Sequence, residues 1–360
     1  MKRKKKRTAE KSKIEYERVW LKLHALVRSA EEGGLGEPVE ILEYIQENEM
    51  RDFFSKKHFY DIHKKIGLSV EPKQPPKDRL AVQDGHYIIA PIDLTLGNRI
   101  TDLLAQFLAE QAGQIDHVVE LGSGIGRNLF ILVEKLDPRL RGKIRFYACE
   151  YTDAGRQVCA ALQERNTEMH LSIQHFDYYQ PDFSFLEKAK KVLYFTCHSI
   201  EQIPVVNRTV IERILEASDQ CFCYHAEPVG WQYDDKLLKW RRQLQSNKSE
   251  HNQSIVRRGL HKVKRKVYKL DRNVFARFGI GLLDASRQFG LDIDRSDIGR
   301  SNKVSLNAAR WSAAMDYNTN LIPLLKDLKN DGLICIDSEQ VNSYGDTPFN
   351  PTTIVVWHKA

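Results

Sequence analysis

Apolar positions recur at three- and four-residue spacing from about residue 14 to 30. Val19, Trp20, Leu23, Leu26 and Val27 line one face there and predict an amphipathic helix. Gly33, Gly34 and Gly36 stop it, and Pro38 opens a second helix carrying Val39, Leu42 and Ile45. A third helix is expected over 53–66, before a Pro- and Lys-rich linker or surface crossing at 71–78. Beyond it the period alternates. Helical patterns at 94–109, 152–165 and 205–217 are interleaved with short apolar runs at 116–121, 144–150, 171–176, 192–197 and 220–225, which predict five strands. Two further strand-like runs, 333–340 and 352–358, flank the turn-rich Ser343, Tyr344, Gly345 and Asp346 and predict an antiparallel hairpin. The pattern as a whole is α/β: a seven-stranded, mostly parallel sheet with helices on both faces and a C-terminal antiparallel hairpin. A basic tail (1–12, expected to be disordered) and a helical N-terminal region (13–78) precede the main domain (79–360). The long polar, basic stretch at about 230–312 is expected to be a helical insertion after the fifth strand, because structureless loops of that length are uncommon in compact domains.

The first strand of the sheet runs into the most informative stretch of the chain, Glu120-Leu121-Gly122-Ser123-Gly124-Ile125-Gly126-Arg127-Asn128. Glycines at a strand-to-helix junction let backbone pass close to a bound cofactor. The dinucleotide fingerprint G-x-G-x-x-G does not fit in either register, since Arg127 or Leu129 falls at its last glycine. The pattern E-x-G-x-G-x-G instead resembles the first motif of class I S-adenosylmethionine-dependent methyltransferases. That resemblance covers roughly residues 85–226 and 316–360. It implies strand order 3-2-1-4-5-7-6 and S-adenosylmethionine as cofactor. It also implies a cofactor site built from Glu120, Gly122, Ser123, Gly124, Gly126, Asn128, Glu150, Tyr151, Phe176, Asp177, Thr196 and His198. Glu150, ending the second strand, matches the ribose-binding acid, and a carboxylate can accept from two adjacent hydroxyls. Phe176 and Asp177 match the apolar neighbour and acid beside the adenine, and Glu120 the acid near the amino acid part. Each acid alone could equally be a helix cap or a solvated strand end. Three of them at successive strand ends, facing a cationic ligand, make a site.

Ligands in open α/β sheets lie beyond the carboxyl ends of the strands. Strand four ends in Thr196-Cys197-His198-Ser199-Ile200-Glu201, and strand five in His225-Ala226-Glu227. If these strands are neighbours, His198, Glu201, His225 and Glu227 converge on the reacting methyl group. A neutral imidazole can take the proton of an alcohol acceptor near pH 7, so His198 or His225 is the candidate general base, oriented by Glu201 or Glu227. One of the histidines is then expected to be structural. A divalent metal held by the four side chains is a second reading that no spacing motif supports.

Charge adds a possible surface. The net charge of +7 is concentrated in residues 2–7, all basic, and in a cluster within 257–277. Both read either as solvated segments or as contacts to an anionic surface, RNA or membrane lipid. No apolar run approaches the roughly 18–20 residues of a membrane span, and no apolar segment follows the N-terminal charges as in a secretory signal. The six cysteines form no C-x-x-C pair and read as buried free thiols. A cytoplasmic protein, peripheral at most to an anionic membrane, is expected, with the N-terminal helices as a candidate homo-oligomer contact.

Absences narrow the acceptor. No N-P-P-Y or D-P-P-Y follows strand four, no Pro-Cys nucleophile is present there, and no double-Glu loop is evident. Histidine-rich strand ends fit O-methylation. The polar-aromatic segments 81–92 and 311–320 suggest a small-molecule or glycan acceptor such as a carbohydrate or phosphorylated glycan. The alternatives are an RNA methyltransferase gripping phosphates through its basic segments, and a non-catalytic assembly subunit on the same fold.

Overall fold

The computed structural model describes residues 9–54, 64–68, 78–91, 99–166, 169–186, 191–244, 293–301 and 303–360. The basic clusters at 2–7 and 257–277, the tail, most of the third helix expected over 53–66, and the middle of the expected insertion lie outside them.

In chain order the helices are α1 (Ala9–Glu32), α2 (Pro38–Phe54), α3 (Arg99–Glu110), α4 (Arg127–Lys135), α5 (Pro138–Arg141), α6 (Asp153–Gln163), α7 (Arg208–Glu216), α8 (Val304–Met315) and α9 (Leu321–Asn330). The strands are β1 (Asp78–Gln83), β2 (His86–Pro91), β3 (His117–Leu121), β4 (Arg145–Glu150), β5 (Leu171–His175), β6 (Lys191–Cys197), β7 (Gln220–Glu227), β8 (Ile334–Gly345) and β9 (Thr352–Lys359). They form one sheet in the order β2-β1-β8-β9-β7-β6-β3-β4-β5.

Seven of these strands, read from β5 to β8, run in the expected order 3-2-1-4-5-7-6. β3 pairs in parallel with both β4 and β6, and β6 in parallel with β7. β9 enters antiparallel between β7 and β8. The expectation of seven strands is corrected to nine among the described residues. β1 and β2 extend the sheet as a hairpin joined to β8 through Val82↔Gly345 and Gln83↔Tyr344. The hairpin turns at Asp84 and Gly85, both at positive φ (48° and 77°), the backbone of a two-residue type I′ turn. Residues 81–91 of the segment expected to meet an acceptor are therefore part of this strand hairpin. β8 also continues through Gly345 because it pairs with β1 there, so the expected 343–346 turn falls later, at 346–351.

Each face of the sheet carries its own core. On one side Val118, Phe146, Leu193 and Phe195 pack with α3, α4 and α6, and with Leu23 and Val27 of α1 and Ile41, Leu42 and Ile45 of α2. The apolar stripes of α1 and α2 are thus buried against this same chain. On the other side Val119, Tyr194, Cys223 and Trp357 pack with α7 and α9. The described ends of the expected insertion are partly helical, as residues 235–244 and α8 show. α8 joins Trp231 and Leu238 on one side and Leu80, Val82 and Tyr87 of the added hairpin on the other. No helix among the described residues is long and apolar enough to cross a membrane.

Because α2 shares the central core, Leu42→Ala is expected to lower stability by about 2–5 kcal/mol within a single cooperative transition. A separate early transition in chemical denaturation would show instead that α1 and α2 form an independent unit.

Candidate active site

β3 delivers the chain into the glycine turn with Gly122 at φ 75° and Gly124 at φ 57°. At Gly122 a Cβ would lie 2.5 Å from the Cβ of Ser199, in the loop after β6. At Gly124 it would lie 3.0 Å from the indole of Trp20, on α1. Any side chain there would strain the backbone and strike a neighbour. Gly126 packs as closely on the Cys159 thiol of α6, where a Cβ would come within 2.7 Å.

The acids sit at consecutive strand ends, as the spacing required. Glu150 is buried: its Oε2 accepts from Gly124 N (2.9 Å), and its Oε1 accepts from Thr152 N (2.8 Å) and Thr152 Oγ1 (2.5 Å). The second strand end thereby braces the turn after the first. Glu120 Oε1 accepts from Asn128 Nδ2 at 2.6 Å, whereas its buried Oε2 and the Ser123 hydroxyl have no hydrogen-bond partner. Burial pushes the Glu120 carboxyl up to about 8, against the Asn128 hydrogen bond, with Glu150 adding like charge. Asp177 is half-buried and accepts from Tyr179 N at 2.8 Å. Phe176 is buried against Tyr178 and Phe183, so its ring belongs to the core of that face. The Tyr151 ring lies beside His175 and beneath Lys13 of α1, whose Nζ is 5.2 Å from the ring centre.

β6 and β7 are neighbours, and they bring together three of the four proposed catalytic side chains. His198 takes a left-handed backbone (φ 53°) one residue past β6. Its Nε2 lies 2.8 Å from Thr352 Oγ1, and its Nδ1 3.6 Å from Glu201 Oε1 and 3.4 Å from Asn350 Nδ2. Burial works to lower its pKa, but hydrogen bonding to Glu201 and the negative charges of Glu201, Glu227 and Asp346 leave it raised. Glu227 plays a different part from the one expected. Its Oε1 accepts from Ser199 N and Ile200 N (both 3.1 Å) and its Oε2 from Glu201 N (3.0 Å), so it caps the turn that carries Glu201. His225 does not reach His198 but shares a face of β7 with Glu227, beside Trp357: its Nδ1 lies 3.1 Å from the Thr196 hydroxyl, which also hydrogen-bonds Glu227. Burial lowers it to about 4, which keeps it neutral. Thr196, paired with His225, is fully buried as well.

The 311–320 segment, expected to face an acceptor, mostly holds the site's scaffold. Trp311 is buried. Asn318 N donates to Glu201 O (2.8 Å), Thr319 N to Pro204 O (3.1 Å), and Asn320 exchanges hydrogen bonds with the Val206 backbone. Among the described residues no group of three His, Cys, Asp or Glu side chains could hold a metal ion, so the metal reading gains no support.

Strand order, glycine turn and three strand-end acids are now in place together. The sheet runs in the strand order that the resemblance to class I methyltransferases implies. No protein-family model matches the sequence, and comparison with curated proteins gives no match. Solved structures to which the chain is similar include the N-terminal domain of EvdMO1 with SAH bound, at 15% identity and TM-score 0.35, over 74% of this chain and 82% of that one. Magnesium protoporphyrin IX methyltransferase (ChlM) from Synechocystis PCC 6803 with bound SAH is similar at 10% identity and TM-score 0.36, over 86% and 98% of the chains. A SAM-dependent methyltransferase from Aquifex aeolicus is similar at 8% identity and TM-score 0.33, over 71% and 89%. Likeness at this level says nothing of chemistry, which has to come from the residues.

Several residues at the site carry no sequence motif. Tyr178 and Ser199 both donate to the Leu121 carbonyl (2.9 and 2.7 Å), while Asn350 and Thr352 reach His198 from across the terminal hairpin. Only the register of β9 against β7 places the last two there, and local pattern does not encode it.

Burial holds Glu227 at about 7 in the fold, against roughly 4.3 in an unfolded chain. The folded state therefore binds more protons between those values, and this group makes stability fall as pH rises through that window. Glu227→Gln is expected to flatten that slope in chemical-denaturation series run from pH 4.5 to 7.5. Glu227→Ala, which strands three backbone donors, is expected to cost on the order of 3 kcal/mol.

Proposed function

We propose that the protein is an S-adenosylmethionine-dependent methyltransferase that methylates a hydroxyl of a polyhydroxylated acceptor, such as a carbohydrate or phosphorylated glycan, with His198 as general base. The observation that carries this reading is the position of His198. It projects from the carboxyl end of β6 on a left-handed backbone, a third exposed, with a raised pKa and a buried carboxylate behind it.

The residues at the turn fit the cofactor. A buried carboxylate oxygen of Glu120 and the Ser123 hydroxyl lack partners, which suits a ligand bearing an ammonium and a carboxylate. Glu150 suits a ribose, although three donors already occupy about four acceptor positions. It can take one ribose hydroxyl directly, and the second only if the Thr152 hydroxyl turns away. When bound, S-adenosylmethionine supplies an electrophilic methyl group on a sulfonium. The chain's own work is to position the acceptor and remove its proton. The proton goes to His198, and Glu201 stabilises the imidazolium. Thr352 Oγ1 lies where an acceptor hydroxyl would meet Nε2, so the acceptor must displace that contact or share it. His198, Glu201, Asn350 and Thr352 together offer both donors and acceptors, the mixture a sugar face requires. His225, buried and held neutral, is assigned a structural role. The RNA alternative rests on residues 2–7 and 257–277, outside the described residues.

The direct test is transfer of a labelled methyl group to cell extract fractionated into glycans, lipids, RNA, protein and small molecules. Label in the glycan or small hydroxylated fraction supports the reading; label confined to RNA or protein overturns it. His198→Asn is expected to reduce kcat by about 10²–10⁴-fold with cofactor affinity unchanged. The acid limb of the wild-type kcat/KM profile should lie above the ordinary histidine value of about 6.5, because only the neutral imidazole accepts a proton. Unchanged turnover in His198→Asn would remove it as the base.

Glu120 gives a second, activity-independent check. Its carboxyl, near 8 in the free protein, must lose its proton to pair with an ammonium. S-Adenosylhomocysteine affinity should therefore rise with pH up to about 8, by at most about tenfold per unit, and Glu120→Gln should abolish that dependence. A pH-independent affinity in the wild type would contradict the assignment of Glu120.

A further inference from the structure

The glycine turn and the segment after β4 are both contacted by α1, an element outside the resemblance. Three residues at helical spacing on one stripe of α1 make the contact. Lys13 lies over the Tyr151 ring and 4.0 Å from Asp153. Both carboxylate oxygens of Glu17 accept from the first backbone N–H groups of α6, Asp153 N at 2.9 Å and Ala154 N at 3.0 Å. Trp20 closes on Gly124: the indole atoms nearest its missing Cβ are Cζ2 and Cη2, at 3.0 and 3.1 Å, with Cε2 at 3.7 Å. Those atoms form the ring edge that adjoins Nε1, and Nε1 itself is buried without a hydrogen-bond partner. Tyr16 stacks on the same ring, centroids 5.7 Å apart, and restricts its tilt.

A buried, unpartnered indole N–H is costly when nothing accepts from it. Here it belongs to the ring that fills the side-chain space of Gly124, beside the turn. Glu17 meanwhile ties α1 to the N-terminus of α6, exploiting the donors and positive dipole end available there. Resting on the cofactor reading above, we infer that Trp20 is a cofactor-binding residue. Its ring covers the bound S-adenosylmethionine on the Gly124 side, its N–H donates to a cofactor oxygen, and Glu17 is the latch that holds α1 closed over the site.

The test is calorimetric titration of the full chain with S-adenosylhomocysteine, together with tryptophan fluorescence. Trp20→Ala is expected to weaken binding well over tenfold. Trp20→Phe keeps a ring against Gly124 and removes only the N–H, and is expected to weaken binding by about tenfold, the size of one buried hydrogen bond. The ligand-induced change in wild-type fluorescence should largely vanish in Trp20→Phe. Glu17→Gln should speed ligand dissociation and hydrogen exchange in α1, with the global unfolding free energy little changed. Should Trp20→Ala fail to fold, Trp20→Phe decides alone. Wild-type affinity in Trp20→Phe, with the fluorescence change retained, overturns the inference and leaves the cofactor reading standing. Absence of binding in the wild type itself overturns that reading and this inference with it.

Discussion

One backbone carbonyl joins the two halves of the site. Leu121 O, at the end of β3, accepts from the Tyr178 phenol and the Ser199 hydroxyl, which are themselves 2.8 Å apart. Tyr178 belongs to the loop after β5 and Ser199 to the loop after β6, so three strand ends are pinned to a single atom. The contact is possible only because Gly122, the next residue, has no side chain to strike Ser199. The glycine that suits a cofactor is thus also the one that lets the loop bearing His198 close against the turn. The proposed cofactor and acceptor halves are held in register by the same feature.

Buried carboxylates set the electrostatic character of this end of the sheet. Glu120, Glu150, Glu201 and Glu227 are all nearly inaccessible, each at a different strand end or loop. Burial, with a neighbouring glutamate adding like charge, raises the pKa values of Glu120 and Glu227. Burial alone would lower His198, and hydrogen bonding to Glu201 with the charges of Glu201, Glu227 and Asp346 outweighs it. Paired hydrogen bonds meet the remaining cost: backbone donors for Glu227, the glycine turn for Glu150, and Asn128 for Glu120. Among these four carboxylates, Glu120 Oε2 is buried without a hydrogen-bond partner.

Much of this was legible in the chain because period and spacing are local. The five strands running to the glycine turn and beyond, the terminal hairpin and the strand-end acids followed from apolar runs and their last residues. The strand order came only with the resemblance. The β1–β2 hairpin was missed although Asp84-Gly85 is a strong two-residue turn signal; the aromatic and polar residues around it suggested an acceptor-binding segment. The roles of Glu227 and His225 were not legible at all. Both lie on β7, two residues apart, yet one caps the 199–201 turn and the other is buried beside Trp357, a difference set by pairing with β6 and β9. Trp20 reads in sequence as one more apolar position on a helix, and only the packing of α1 on α6 puts it over Gly124.

The turn at Gly122 to Gly126 is proposed to bind S-adenosylmethionine and not a dinucleotide. Equilibrium dialysis of the full chain against labelled S-adenosylmethionine, with S-adenosylhomocysteine and NAD as competitors, tests it most directly. One saturable site is expected, which S-adenosylhomocysteine empties and NAD does not. No saturable binding, or displacement by NAD at equal concentration, would contradict it.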